Sequence, residues 1–210
     1  MTRKTKWWLI GGGCGFLCVL TAGIVVFLAL LFDPVKAYPV PKVSLNDLML
    51  QAQLIGTVSK QVRTAQDSRL SITLTPEQVR SLIRMALNQH ALNLPEGQPF
   101  PLAASYHSDG RVEIDSMYDS GFHWLFGGGI RMQVTGRLGY RDGAFVFDTD
   151  FFQVGAFVLP DEVRQKAVAK IMARLNKEII PLGELGLETV TCGDDGTVSV
   201  EIDTAKALSY

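Results

Sequence analysis

The side chains that could do chemistry are few and scattered. His90 closes an apolar helical row, His107 precedes a turn, and His123 sits among aromatics. None stands at a metal-ligand spacing such as H-E-x-x-H, and no cysteine pair accompanies them. Glu113 with Asp115, and Asp148 with Asp150, are spaced by two, which puts each pair on one face of a strand. Two neighbouring carboxylates could divide acid and base roles in a hydrolysis, although the same spacing is the ordinary wet face of a sheet. There is no G-x-S-x-G elbow and no phosphate-binding loop outside the apolar N-terminus. The sequence therefore assigns no catalytic residue, no metal ligand and no cofactor, and the expectation is a binding protein rather than an enzyme.

Such sparse chemistry shifts attention to the elements. "DGRVEI" from Asp109 has near copies in "DGAFVF" from Asp142 and "DGTVSV" from Asp195. Asp-Gly tolerates the positive φ of a tight hairpin turn, and the alternation after it reads as the returning strand. Three hairpins follow: Leu102 to His107 with Arg111 to Met117, Ile130 to Tyr140 with Ala144 to Val154, and Glu188 to Thr191 with Thr197 to Ile202. A calcium loop would need acidic ligands before the glycine and a closing glutamate, which these stretches lack.

In the longest hairpin Ile130, Met132, Val134, Leu138 and Tyr140 alternate with Arg131, Gln133, Thr135 and Arg137, and Phe145, Phe147 and Phe151 continue the apolar face. One greasy side must then be covered by helices or by something bound. "RLSITLTPEQVRSLIRMALNQH" switches from period two to a helical period within one turn. Thr75 is the expected cap, Pro76 the first helical residue and Gln78 the reciprocal partner, with Val79, Leu82, Ile83, Ala86, Leu87 and His90 along one side. A second helix spans about Asp161 to Glu178, with Val163, Ala167, Ile171 and Leu175 as its buried stripe. Lys166, Lys170, Arg174 and Lys177 form another row, either a solvated face or a contact for anionic head groups. Residues 44–64 begin as a helix capped by Ser44, with Leu45, Leu48, Met49, Ala52 and Ile55 on one side.

From Trp7 to Phe32 there are 26 residues without a charge, which as a helix would reach roughly 39 Å. That length crosses a bilayer core of about 30 Å. Arg3, Lys4 and Lys6 precede it, so the N-terminus is expected in the cytoplasm. A cleaved signal peptide ending at Val35-Lys36-Ala37 is the rival reading, but the apolar run is about twice a usual h-region. Gly11 and Gly15 have the spacing that can pair two spans into a homodimer. The organisation expected is a cytoplasmic tail at 1–6, an anchor at 7–32, a spacer at 33–43 rich in proline (Pro34, Pro39, Pro41), and an extracytoplasmic domain at 44–210. The first 32 residues hold three of the 20 basic residues and none of the 21 acidic ones, which leaves the rest at −4. No nucleic-acid partner is expected from that charge. Cys14 and Cys18 lie in the apolar run, so Cys192 has no disulfide partner within the domain.

The run "ITLTPEQVRSLI", then "VTGRLGYRDGAFVFDTDFFQVGAFVLP", a helix and a hairpin ending "VSVEID" resembles the YpmS-like bacterial proteins over roughly residues 69–203, and more distantly the tubular lipid-binding, LmeA-type domains. The resemblance implies an N-terminal anchor and a curved sheet wrapped on a helix, with lipid held in an apolar groove, and it carries no catalytic residues. The insertion "YDSGFHWLFGGGI", residues 118–130, adds apolar residues on a glycine-bounded loop, either a flap over a ligand, a wedge at a membrane interface or a plug of the core. Together these readings give an α+β domain in which about six antiparallel strands curve over two or three helices behind a transmembrane helix. It is expected at the bacterial cytoplasmic membrane with its domain outside. The expected ligand-binding residues are Val79, Ile83, Trp124, Phe126, Val134, Leu138, Phe145 and Phe147. The alternative is a scaffold subunit that docks a membrane protein partner.

Overall fold

The computed structural model describes residues 19–64, 69–95, 97–121, 123, 127–178 and 186–207. Helix α1 (described over residues 19–31) leads into β1 (Asp33–Pro34) and α2 (Leu45–Thr64). Then come β2 (Arg69–Leu74), α3 (Pro76–Leu92), β3 (Leu102–Tyr106), β4 (Val112–Asp119), β5 (Gly128–Arg141), β6 (Ala144–Val154) and β7 (Phe157–Val158). The chain closes with α4 (Asp161–Glu178), β8 (Leu187–Cys192), β9 (Val198–Asp203) and α5 (Thr204–Ala207). The fold is α+β, with a single open, antiparallel sheet of nine strands.

About six strands were expected. The surplus includes β1 and β7, two residues each, which are too short to carry a period-two signal. All three Asp-Gly hairpins form. Asp142 and Gly143 both take positive φ, 54° and 77°, as a type I′ turn requires. At the other two turns Gly110 and Gly196 alone do so, and Asp109 and Asp195 accept hydrogen bonds from the amides two residues on.

β5 is the spine. Along one edge it pairs with β6 and then, past the end of β6, with β1; along the other it pairs with β4 and then, at Tyr140, with β8. The hairpins β3–β4 and β8–β9 therefore meet end to end. Their turns touch so closely that a Cβ on Gly110 would lie 2.6 Å from the Gly193 carbonyl oxygen. Tyr106 Oη donates to the Gly196 carbonyl across the same join at 3.0 Å.

Cross-strand pairing sets the two faces, because directly opposed residues share a side. Ala104, Ile114, Val134 and Phe152 lie in one row, and Tyr140, Phe145, Val190, Val200 and Ile72 continue that side across the join. Phe151 is a correction to the expected face. Thr135 opposes Phe151 but Gly136 opposes Thr149, so Asp150 is an extra residue and flips the alternation. Phe152, buried, takes the apolar side, and Phe151 faces the side of Arg131 and Gln133.

Helix α3 has the reciprocal cap expected of Thr75 and Gln78. The packing of α2 and α4 differs from expectation. In α2 the row turned inward carries Asp47, Leu50 and Leu54, and Leu45, Leu48, Met49 and Ile55 are exposed. In α4 the inward row is Arg164, Val168, Met172 and Asn176, and Val163, Ile171 and Leu175 are 41–54% exposed. The reason is chemical: Arg164 donates to the Asp150 carbonyl at 2.6 Å, and Asn176 bonds both the amide and the carbonyl of Phe145 at 2.9 Å. These polar side chains satisfy the open edge of β6 as another strand would, so the inward row is less apolar than its neighbour.

Asp47 is 1% exposed. It accepts from the Ser44 amide and hydroxyl at the start of α2 and pairs with Arg84 of α3. Arg84, followed by Ser44, holds its carboxyl well below the usual carboxylate range. A depressed native pKa means the stability is fully present above the unfolded value of about 4 and is lost as pH falls below it. Asp47→Ala should cost about 2 kcal/mol and flatten the acid limb of the stability profile, measured by urea unfolding from pH 7 down to 3. An unchanged acid limb would contradict the pairing.

Candidate functional site

The segment between α1 and the domain is held in a seat made of glycines. β1 pairs Asp33 with Gly129 and Pro34 with Gly128. A Cβ on Gly129 would lie 2.7 Å from the Asp33 carbonyl oxygen, and one on Gly127 would lie 2.6 Å from Pro34 Cα. On the other side Gly155, at φ 58°, would place a Cβ 2.7 Å from the carbonyls of Leu30 and Leu31. The Ala156 amide donates to the Leu30 carbonyl at 2.8 Å, and the rings of Phe27 and Phe157 lie 5.3 Å apart. Gly127 and its two following glycines, at the end of the aromatic insertion, thus receive the chain leaving α1.

The proline-rich stretch continues along the domain. The Tyr38 amide donates to the Phe100 carbonyl at 2.9 Å, and Asn88 donates to the Pro41 carbonyl at 3.0 Å. Tyr38 Oη donates to Asp115 Oδ1 at 2.5 Å, and Asp115 also takes the Arg131 guanidinium. Burial and the Asp115 hydrogen bond push the Tyr38 phenol up to about 12. For Asp115 burial works upward, but the bonds from Arg131 and Tyr38 prevail and hold the carboxyl below its ordinary value. A carboxylate kept ionised in this way is a poor general acid near neutral pH. Its neighbour Glu113 accepts from Gln133 at 2.6 Å and meets His107 at 3.1 Å. The other expected pair is divided by the bulge at Asp150. Among the described residues no three His, Cys, Asp or Glu side chains gather as a metal site.

The expected ligand-binding residues fall in three places. Phe145 and Phe147 line a cleft of about 430 Å³ between β6 and α4, facing Val168, Ala169 and Met172. Leu138 lines a second cleft of about 270 Å³ between β5 and β8. Arg141, Val146 and Asp148 line both. Val134 lies on the apolar side further along β5, and Val79 and Ile83 are on α3, beside β3; all three are half-buried. Trp124 and Phe126 lie outside the described residues. The structure therefore brings together Phe145, Phe147 and, across the strand pair, Leu138.

By alternation alone Tyr140 is one more residue of the apolar face. Its ring packs edge-on against Phe145 at 5.0 Å, it lines the second cleft, and it is buried. Among the described residues its hydroxyl is one of two buried side-chain polar atoms without a hydrogen-bond partner, the other being Arg164 Nε. Tyr140 lines the second cleft, and Arg164 bonds the carbonyl of Asp150, a residue lining the first. Sequence alternation gives no sign of an unsatisfied hydroxyl, because Tyr at a core-facing position looks like Phe.

The class that fold and site define is an open-sheet α+β domain with a cleft of mixed apolar and polar lining at the edge of its sheet and a glycine seat at its N-terminal junction. Comparison with protein-family models, with curated proteins and with solved structures gives no match.

Two measurements probe this arrangement. Tyr38→Phe should remove one of the phenol ionisations near pH 12 from a spectrophotometric titration, and a trace unchanged in that range would contradict the buried Tyr38–Asp115 contact. Gly155→Ala should open the 32–40 stretch to protease, whereas Gly143→Ala, also at positive φ but with open space around it, should only weaken the turn by about 1 kcal/mol. Equal protease resistance in both would argue against the seat.

Proposed function

We propose that the chain is a single-span protein of the bacterial cell envelope whose extracytoplasmic domain holds an apolar ligand, a lipid acyl chain, between β6 and α4. The observation that carries the reading is the cleft of about 430 Å³ where Phe145, Phe147, Val168 and Met172 supply an apolar wall beside the polar Arg141 and Asp148, a size within the roughly 300–1,000 Å³ typical of ligand sites. Apolar side chains around an open cleft lose dispersion contacts that a hydrocarbon would restore. The orphan hydroxyl of Tyr140 belongs to a residue lining the neighbouring cleft between β5 and β8, which shares Arg141, Val146 and Asp148 with this one, and offers a polar anchor there.

The anchor rests on the uncharged run 7–32. Its described portion, residues 19–31, is helical and exposes Val19, Leu20, Ile24, Val25, Val26, Phe27 and Leu30, a surface that suits hydrocarbon better than water. No helix among the described residues is by itself long and apolar enough to cross a membrane, and residues 7–18, with Gly11 and Gly15, lie outside them. Placing the N-terminus in the cytoplasm follows from Arg3, Lys4 and Lys6.

A second reading, a non-enzymatic scaffold docking a membrane protein, draws on the exposed row of Leu45, Leu48, Met49 and Ile55 on α2. The two readings separate on ligand content. Full-length protein extracted in mild detergent should retain a stoichiometric lipid by native mass spectrometry, and Phe147→Asp should lose it while still melting cooperatively. Tyr140→Phe should leave stability within about 1 kcal/mol, since it removes an unpaired buried hydroxyl, yet weaken retention. Equal lipid content in wild type and in both folded variants would favour the scaffold.

A further inference from the structure

We propose that α4 docks on an anionic phospholipid surface, laying its outer apolar row into the head-group boundary of the bilayer that holds α1. At 100° per residue, Val163, Ala167, Ile171 and Leu175 fall between the row turned to β6 and the row of Lys166, Lys170, Arg174 and Lys177. Val163, Ile171 and Leu175 are each more than two-fifths exposed, and the four basic residues beside them are exposed as well. A helix that already rests on protein by one side therefore presents a second, greasy side edged with positive charge. That sequence of faces is the pattern of an interfacial helix: aliphatic side chains enter the acyl boundary while flanking ammonium groups meet phosphates. The basic edge selects an anionic surface rather than a neutral one, and it disfavours a second α4 from another copy, which would bring like charges together.

The tether supplies proximity. Phe157 stacks on Phe27 of α1, and α4 begins at Asp161. Four residues span at most about 14 Å, so the first turn of α4 starts close to where α1 ends. Docking then needs no diffusional search, and a modest interfacial affinity suffices because the effective local concentration of lipid is high. The acidic first turn, with Asp161 bridging to Arg164 at 3.1 Å, lies at the opposite end of the helix from Arg174 and Lys177.

The inference rests on the membrane anchor of the proposed function and is independent of the ligand cleft. The test uses the full chain with Cys14, Cys18 and Cys192 replaced by Ser, a nitroxide at Ile171→Cys, and vesicles of phosphatidylglycerol and phosphatidylcholine or of phosphatidylcholine alone. Expected is a shift of collision accessibility at position 171 toward oxygen and away from a water-soluble nickel chelate in the anionic vesicles. That shift should be lost in phosphatidylcholine alone and in the Lys166→Glu, Lys170→Glu, Lys177→Glu variant. An embedded chain whose label stays open to nickel overturns the docking alone, as does a label closed to both reagents, which would mean burial against protein. A chain that fails to float with the vesicles overturns the anchor and the docking together.

Discussion

One strand carries the architecture. β5 pairs along both edges, and the short stretches β1 and β8 extend those edges beyond the reach of β6 and β4. β5 contains glycine at 128, 129, 136 and 139. At Gly136 the carbonyl of Asp148 approaches, and at Gly129 the chain from α1 does. These are close backbone approaches that any Cβ would obstruct. Gly129 thus makes room for the N-terminal segment, and Gly136 for the close approach of β6 next to its bulge.

The consequence for the proposed anchor is mechanical. A proline-rich stretch of the sort at 33–43 would by composition be extended and solvated, a spacer. Here it is extended but bound, through Asp33–Gly129, Tyr38–Phe100 and Asn88–Pro41 on one side and Leu30–Ala156 just before it. The domain consequently moves with α1. From Phe147 in the cleft to Val154 beside the seat is roughly 23 Å along β6, so the proposed ligand site and the proposed membrane junction share one strand.

Much of the fold was legible because its signals are local. Asp-Gly before alternating residues marked three hairpins, and Thr75-Pro76 with Gln78 marked a helix start; both depend on neighbours within a few residues. The signals that failed are those set by tertiary partners. Periodicity chose the greasier rows of α2 and α4, but the rows that pack contain Asp47, Arg164 and Asn176, whose value comes from hydrogen bonds to distant elements. One extra residue at Asp150 moved Phe151 off the apolar side, and no local feature of "FDTDFF" marks a bulge. By composition the run Gly127 to Gly129 bounds a loop, whereas its chemistry is that of a seat for residues far earlier in the chain. Of the candidate site, Phe145, Phe147 and Leu138 were recoverable from alternation; Tyr140 was not, because what distinguishes it is the lack of a partner.

The central claim is that α1, the 33–43 stretch and the sheet form one body. Hydrogen exchange of the full chain in a lipid nanodisc tests it at two amides, Ala156, bonded to Leu30, and Tyr38, bonded to Phe100. The account predicts that both exchange as slowly as amides in the middle of β5, and exchange at the rate of a free proline-rich linker would show instead a domain hanging loose from its anchor.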